Sequence, residues 1–133
     1  VDFVCSAAPP DKNGWNIAVN LPQQEEVTWP NRLQLQHKAV ATSGDMYQVL
    51  EHEGQFYSHI INPATGYGTV NRRNVTVIAN DGATADWMAT ACSILPIKKV
   101  KRLAKKMRAD FLIAAMENEK PITYRSRHFP DLQ

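Results

Sequence analysis

The sequence predicts an α+β domain in which a mostly antiparallel sheet packs against two consecutive helices. Short runs with strand-like alternation, bounded by Gly, Pro and Asn, lie on both sides of residues 82–108. Residues 82–108 instead carry two apolar stripes with helical spacing, separated by Pro96. With 133 residues and 44% apolar content, the chain has the size and composition of a single domain with one core, spanning residues 1–133.

The N-terminal third predicts two strands joined by irregular segments. Residues 7–14 contain a Pro pair and an Asn-Gly, which together indicate a loop. Apolar and polar side chains alternate over residues 15–21, which predicts a half-buried strand, and residues 22–31 predict a connection. The alternation resumes at Leu33 and predicts a second strand that continues through residues 39–45.

A hairpin and a tight loop follow in the sequence. Two β-prone runs, residues 47–51 and 55–61, predict a hairpin that turns at Gly54. Its second arm carries His59 and leads into residues 62–68, where one Pro and two Gly indicate a tight loop.

The central part of the chain predicts a buried strand and then two helices. Residues 74–79 are rich in β-branched side chains, and an Asn-Asp-Gly turn leads from them into a helix that runs to about Leu95, with Thr84 as its N-cap. Pro96 ends this helix, and because Pro is tolerated in a first turn, a second helix begins at once and reaches about Arg108. The residues predicted to face the core are Ala85, Met88, Ala89, Cys92 and Leu95 in the first helix, and Ile97, Val100, Leu103, Ala104 and Met107 in the second.

The C-terminal part predicts two more strands. Residues 111–116 form an apolar run typical of a buried strand, and residues 117–120 indicate a turn. Residues 122–125 then predict an edge strand, and the tail after Ser126 predicts irregular structure. No stretch of the sequence is long and apolar enough for a transmembrane segment.

Charge and cysteine content argue against several classes of function. A net charge of +2 is too small to imply a nucleic-acid or membrane partner by itself. Cys5 and Cys92 form neither a CxxC pair nor a metal-ligand cluster, so no redox pair and no zinc site are expected.

The second predicted helix nevertheless concentrates cations on its polar side: Lys98, Lys99, Lys101, Arg102, Lys105, Lys106 and Arg108. We interpret this cluster as a solvated face. Nucleic-acid binding is the competing interpretation, because clustered Lys and Arg release counterions from a phosphate backbone. The stretch lacks interleaved aromatic residues, so we expect no nucleic-acid partner.

One pair of residues in the first predicted helix suits a small divalent cation. Asp86 and Thr90 are four residues apart, and such positions lie on the same face of a helix. They would present a carboxylate oxygen and a hydroxyl oxygen to one point, and hard oxygen ligands of this kind favour Mg2+. The alternative is that Asp86 is a polar first-turn residue favoured by the helix dipole and Thr90 a packed β-branched residue.

Three segments of the sequence together resemble one protein family. They are Ala41-Thr42-Ser43-Gly44-Asp45, residues 57–66 with the sequence Tyr-Ser-His-Ile-Ile-Asn-Pro-Ala-Thr-Gly, and residues 75–90, which include Thr-Ala-Asp-Trp-Met-Ala-Thr. In order and spacing they resemble the FAD:protein FMN transferases, the ApbE-type flavin transferases. The resemblance covers about residues 14–125 and corresponds to the C-terminal half of the family's domain. It therefore implies an ApbE-like, T-fold-related half-domain.

The resemblance implies an activity and a set of site residues. The activity is Mg2+-dependent cleavage of FAD, with transfer of the FMN moiety to a threonine hydroxyl of a target protein and release of AMP. Asp86 and Thr90 match the family's metal ligands, and His59 matches a histidine at the active site. The residues implied to bind FAD, in part around its phosphates, are Thr42, Ser43, Gly44, Asp45, Asn62, Thr65 and Gly66.

Each of these residues also has a purely structural interpretation. Ser43, Gly44 and Asp45 suit a simple turn, and His59 suits a hydrogen-bonded strand residue. Thr65 and Gly66 suit a Pro-initiated turn that closes the loop.

The sequence also departs from the family pattern. Asn62 stands where the family has Asp, which removes a charge but keeps an acceptor oxygen. Met46 separates Asp45 from Tyr47, so the aromatic residue expected directly after the Asp is displaced by one position. The chain is also about half the length of the family's domain.

The difference in length leaves three interpretations open. The chain is a fragment of an enzyme, one of two chains that complete a site, or a short non-catalytic relative that binds flavin, metal or a protein partner. A half-domain exposes apolar surface, so we expect self-association or a second chain. The family suggests an exported, periplasmic or membrane-associated location, and the sequence leaves a cytoplasmic one open.

Overall fold

A five-stranded antiparallel sheet forms the centre of the computed structural model, which describes residues 2–19, 21, 31–44 and 49–133. In spatial order its strands are β1 (Asp2–Cys5), β4 (Lys38–Gly44), β7 (Arg73–Ala79), β8 (Asp110–Glu117) and β9 (Lys120–Arg125). Two separate ribbons pair β2 (Trp15–Ala18) with β3 (Arg32–Leu35), and β5 (Val49–His52) with β6 (Gln55–Ser58). The helices are α1 (Gly82–Ile94) and α2 (Ile97–Met107). This arrangement confirms the predicted fold class.

The two faces of the sheet are covered by different elements. Alternate residues of a strand point to opposite faces, so each central strand supplies side chains to two cores. The core under the helices contains Ala39, Ala41, Val75, Val77, Ala79, Ala85, Met88, Ala89, Cys92, Val100, Ala104, Ala109, Phe111, Ile113 and Ala115. The core on the other face, under the β2–β3 ribbon and the C-terminal tail, contains Cys5, Ile17, Val19, Leu33, Leu35, Val40, Ile78, Leu112 and Phe129. Every residue of β7 after Arg73 is buried, which explains its continuous apolar character.

The N-terminal strands differ from the prediction. No strand was expected at β1, yet it pairs with β4 at the edge of the sheet. The single strand expected from Leu33 onward is broken, because His37 has a φ of 52° and its N–H donates to the carbonyl of Ser6 at 3.0 Å. The break sends β3 into a ribbon with β2 and leaves β4 free to join the sheet. Asp45 and Met46 lie outside the described residues, as do residues 47–48 and most of the expected connection.

The predicted hairpin is present, although its second arm is shorter. Glu53 and Gly54 both have positive φ values, 49° and 77°, as in the type I′ turns that join two-residue hairpins. The arm that was expected to reach Ile61 ends at Ser58, whose hydroxyl accepts a hydrogen bond from the N–H of Ile60 at 3.0 Å.

The C-terminal ends of both helices and the start of α2 match the prediction to within one residue. The predicted N-cap of α1 is wrong, because the helix begins at Gly82, three residues before the start that a cap at Thr84 implies. Asp81 is the cap: its carboxylate accepts hydrogen bonds from the N–H and the hydroxyl of Thr84, each at 2.8 Å. These bonds lower the pKa of Asp81, the backbone N–H contributing most. The longest helix among the described residues has 13 residues, and none of the described helices is long and apolar enough to cross a membrane.

Candidate functional site

Asp86 and Thr90 lie together on an exposed flank of α1. Each is three residues before a buried position, Ala89 and Ser93 respectively, so both border the face that packs on the sheet. The same i, i+4 row extends in both directions, and we call Gly82, Asp86, Thr90 and Ile94 the α1 ridge. It starts beside β1, where a Cβ on Gly82 would lie 3.1 Å from a methyl group of Val4. From Asp86 to Ile94 the ridge is about 12 Å long.

The donor set on the ridge fits Mg2+. Within the described part of the chain, neither Asp86 nor Thr90 has a side-chain partner, and no group of three or more His, Cys, Asp or Glu residues could hold a metal. The α1 ridge thus offers one carboxylate and one hydroxyl rather than a complete cage. Mg2+ is commonly held in this way, by one or two carboxylates with substrate phosphates and water filling the other positions.

Residues 60–69 form a narrow loop that contains the Pro-initiated turn expected for Thr65 and Gly66, whose N–H groups donate to the carbonyl of Asn62 at 3.1 and 2.8 Å. Ile61 and Gly68 pair across it, and the N–H of Asn62 donates to the carbonyl of Tyr67 at 2.8 Å. A Cβ on Gly68 would lie 2.2 Å from the carbonyl oxygen of Ser58, so this close approach requires Gly. Asn62 Oδ1 accepts a hydrogen bond from the N–H of Ala64 at 3.0 Å. An amide oxygen is sufficient for this turn, so Asn62 preserves the loop geometry without the carboxylate charge.

A cleft of about 370 Å³ lies between this loop and the C-terminal end of α1. It is lined by Tyr57, Asn62, Thr65, Tyr67, Gly68, Thr69, Val70, Asn71 and Ile94. Asn62 and Thr65 are predicted site residues, and Ile94 is the last residue of the α1 ridge. The cleft therefore joins the predicted phosphate loop to the helix that carries Asp86 and Thr90.

The C-terminal end of α1 is fixed to the start of β7 by side chains. Arg73 Nη1 donates to the carbonyls of Leu95 at 2.6 Å and Cys92 at 3.3 Å, and Asn71 Nδ2 donates to the carbonyl of Ser93 at 3.0 Å. These bonds satisfy carbonyls that a helix leaves unpaired at its end. The wall of the cleft formed by Ile94 is thereby held in position.

Two polar atoms of cleft residues are buried without a partner among the described residues, Thr69 Oγ1 and Asn71 Oδ1. A flip of the Asn71 side-chain amide would not satisfy this oxygen, because the amide nitrogen must stay in place to donate to the carbonyl of Ser93. Each unsatisfied buried group costs about 1–3 kcal/mol. Such groups are uncommon in folded proteins, and here both occur beside the predicted site.

The end of β4 supplies the half-buried residues Thr42, Ser43 and Gly44. Thr42 and Thr76 share a hydrogen bond between their hydroxyls at 3.1 Å on the face away from the helices. Ser43 pairs with Val75 and points to the face on which α1 packs. A Cβ at Gly44 would lie 2.2 Å from Asn74 Oδ1, so a larger residue there would require the Asn74 side chain to move. These residues are therefore in a regular strand, and the interpretation as a simple turn is wrong for Ser43 and Gly44.

His59 is exposed and follows β6 directly, between the buried residues Ser58 and Ile60. It makes no hydrogen bond or ion pair with another described residue, and it does not line the cleft. The structure thus brings Asn62 and Thr65 to the cleft and leaves Gly66 exposed at the tip of the loop. Within the described residues it shows no hydrogen bond or ion pair that joins His59 to the cleft residues or to Asp86 and Thr90.

Sequence reasoning missed several residues of the cleft: Tyr57, Tyr67, Val70, Asn71 and Ile94. Tyr57 is in one of the three segments but was given no role. Ile94 was missed because it lies off the apolar stripe of α1. A large apolar residue outside the core-facing stripe is itself a signal of a contact elsewhere, here with the cleft.

Comparison with known proteins identifies the family to which this fold belongs. The ApbE family model matches residues 2–113, which is most of the chain. The chain belongs to the ApbE family. The resemblance inferred from three segments is therefore confirmed.

Individual ApbE relatives are similar over part of their length. A FAD:protein FMN transferase of Vibrio cholerae is 37% identical over 82 residues, which are 61% of this chain and 25% of that protein. One of Haemophilus influenzae is 31% identical over 107 residues, covering 78% of this chain and 31% of the relative. The chain thus spans about a quarter to a third of the length of these curated relatives.

Solved ApbE structures have the same fold. The flavin transferase ApbE from Vibrio cholerae superposes with a TM-score of 0.79 at 27% identity, covering 96% of this chain and 40% of the other. The ApbE protein from Thermotoga maritima gives 0.70 at 33% identity, covering 91% of this chain and 38% of the other. Nearly all of this chain therefore corresponds to one part of a larger flavin transferase fold.

Proposed function

We propose that this chain provides the Mg2+-binding part and one side of the FAD site of a FAD:protein FMN transferase. The observation that carries the proposal is the α1 ridge, which runs from the unpartnered oxygens of Asp86 and Thr90 to the cleft beside the 60–69 loop. The names of the relatives support flavin transfer in general. The proposal adds three specific elements to this general activity, namely the metal ion, the acceptor threonine and the release of AMP.

The proposed reaction transfers a phosphoryl group. The acceptor threonine oxygen forms a bond to the phosphorus of the FMN moiety, the pyrophosphate bond of FAD breaks, and AMP leaves. Bound Mg2+ supplies charge neutralisation at the phosphate oxygens, which is the main requirement of phosphoryl transfer. Asp86 and Thr90 hold the ion.

The remaining residues are assigned to FAD and the acceptor. We assign FAD binding to Thr42, Ser43 and Gly44 at the end of β4, to Asp45 directly after them in the sequence, and to Asn62, Thr65 and Gly66 in the loop. The small residues of the loop allow close approach of backbone N–H groups to phosphate oxygens. His59 accepts the proton of the acceptor hydroxyl. Its exposure gives it access to a protein substrate arriving from outside.

The size of the cleft supports the participation of further polypeptide. A cleft of about 370 Å³ is near the lower end for small-ligand sites and holds only part of a dinucleotide. Large apolar side chains are also exposed, among them Val4 at 76%, Leu50 at 69% and Tyr67 at 71%. We include self-association or binding of a second chain in the proposal. Light scattering tests it, and a monodisperse monomer with full activity would exclude it.

The transfer assay is direct. The chain is incubated with FAD, Mg2+ and a peptide that contains one Thr, and mass spectrometry detects the addition of FMN. A peptide with Val in place of that Thr is the matched control, and EDTA should stop the reaction. FAD binding without transfer would favour the alternative, a non-catalytic module that binds flavin, metal or a protein. Absence of both binding and transfer would reject the FAD site in this chain.

A further inference from the structure

The flavin site does not involve the most strongly charged surface of the protein. We call Lys98, Lys99, Lys101, Arg102, Lys105, Lys106 and Arg108 the basic face of α2. All seven side chains are exposed. None of them has an ion-pair or hydrogen-bond partner for its side chain among the residues that the structure describes.

The basic face is one continuous surface. At 100° per residue these seven positions occupy about half of the helix circumference, opposite the buried Val100 and Ala104. The half contains no apolar, aromatic or acidic residue. The basic face can therefore attract a negatively charged surface by Coulombic interaction. It has no apolar side chain that could pack into a pocket or insert into a hydrocarbon layer.

The net charge of the chain conceals a strong separation of charge. The chain has 15 Lys and Arg and 13 Asp and Glu, and residues 97–108 hold seven of these cations and no acid. The rest of the chain consequently has eight cations against 13 acids, a net charge of −5 against +7 for the helix. A charge distribution of this kind turns one side of a protein toward a negatively charged surface.

We propose that the basic face of α2 docks on an anionic lipid surface. A flat surface brings all seven cations of a single helix within about one Debye length, roughly 8–10 Å, so that they act together. Each cation near such a surface contributes measurably to binding. A nucleic-acid duplex is less suited to this face, because the helix offers no aromatic or amide side chain for the bases.

Docking through α2 leaves the α1 ridge accessible. α2 packs on β8, whereas α1 packs across β4 and β7 and contacts β1. Asp86 and Thr90 are on the same ridge of α1 as Gly82, which lies beside Val4 of β1. The proposal is independent of the flavin transfer activity, since it concerns a different helix face and a different ligand.

Vesicle co-sedimentation of the full chain tests the proposal. Vesicles of phosphatidylcholine alone are compared with vesicles that contain phosphatidylserine, at low salt and at physiological salt. The test variant is Lys98→Gln, Arg102→Gln and Lys105→Gln, three positions near the middle of the basic face. The matched control is Lys12→Gln, Lys120→Gln and Arg127→Gln, which removes the same charge from exposed positions elsewhere.

We expect the wild-type chain to bind phosphatidylserine vesicles and not phosphatidylcholine alone, with affinity that falls as salt rises. The test variant should bind about a hundredfold more weakly, and the control variant less than about threefold. Thermal melts should show both variants folded, because the removed charges are on the surface. Equal loss in the two variants, equal binding to both vesicle types, or tighter binding to a DNA duplex than to phosphatidylserine vesicles at physiological salt would overturn the proposal.

Discussion

The two helices lie on the same face of the sheet but differ in burial and charge. α1 buries Ala85, Met88, Ala89, Cys92 and Ser93, and Asp86 is its one charged residue. α2 buries only Val100 and Ala104 and carries cations along its exposed half. The deeply packed helix carries the oxygens that we propose bind Mg2+, which need fixed geometry. The shallowly packed helix carries charges whose effect does not depend on exact position.

The largest expected difference between the helices is in metal-dependent activity. Asp86→Ala removes the one carboxylate of the α1 ridge, so Mg2+-dependent FAD binding and transfer should fall at least about a hundredfold. Lys101→Ala on α2 is the comparison and should leave both unchanged. Titration of Mg2+ in a transfer assay measures the effect. Unchanged Mg2+ dependence in Asp86→Ala would show that the ion is held elsewhere.

A second difference is expected in stability, and each helix offers one methionine for it. Met88 is completely buried between α1 and the sheet, whereas Met107 is half-buried at the end of α2. Met88→Ala should lower the free energy of unfolding by about 2–5 kcal/mol, because it leaves a cavity in the core. Met107→Ala should cost about 1 kcal/mol or less. Urea unfolding of both variants measures the difference, and similar losses would contradict the assigned difference in packing depth.

The third difference concerns how each helix begins. Asp81 caps α1 with its carboxylate, whereas Pro96 at the start of α2 makes no side-chain cap. Asp81→Ala should lower the Tm by about 3 °C, and Pro96→Ala should lower it less.

The Asp81 cap also has a defined pH dependence. Hydrogen bonds lower the pKa of Asp81 below its ordinary value of 3.8. The contribution of the cap is therefore complete above about pH 4 and is lost as the pH falls through the lower pKa of the folded state. Melts of the wild type and Asp81→Ala should converge in strong acid. A difference that persists there would contradict a charged cap.

The smallest expected effect is the change in stability when one positive charge is removed from α2. Lys98, Arg102 and Lys105 are spaced so that neighbouring cations repel along one face. Lys101→Gln, next to that row, should leave the free energy of unfolding unchanged or raise it by a few tenths of a kcal/mol at low salt. The gain should disappear at high salt, where screening acts in its place. A clear loss of stability would mean that Lys101 has a structural role.

Local sequence patterns predicted the second half of the chain well. β7, both helices, β8 and β9 are each specified by residues within the element, through period-two or helical spacing and Pro96. The N-terminal strands were predicted less well, because their outcome depends on one residue. The backbone at His37 has a positive φ and leaves the extended conformation, whereas the alternation of apolar and polar residues continues through this position and gives no sign of the break.

The candidate site was predictable only where its residues are neighbours in sequence. Asp86 and Thr90 are one helical turn apart, so their common face follows from the helix alone. The cleft combines Tyr57 with Ile94, and its shape depends on how the 60–69 loop packs beside the end of α1. That packing is a tertiary property, for which the sequence contains no local signal.

Both ends of α1 are attached to the two ends of one strand. Asp81 follows β7 closely and caps the start of the helix, and Arg73 begins β7 and binds the last carbonyls. Seven residues of strand and 13 residues of helix each span about 20 Å, so the two lengths match. The length of β7 therefore sets the length of α1, and one residue inserted between Thr90 and Ile94 would turn the proposed metal ligands away from the cleft by about 100°.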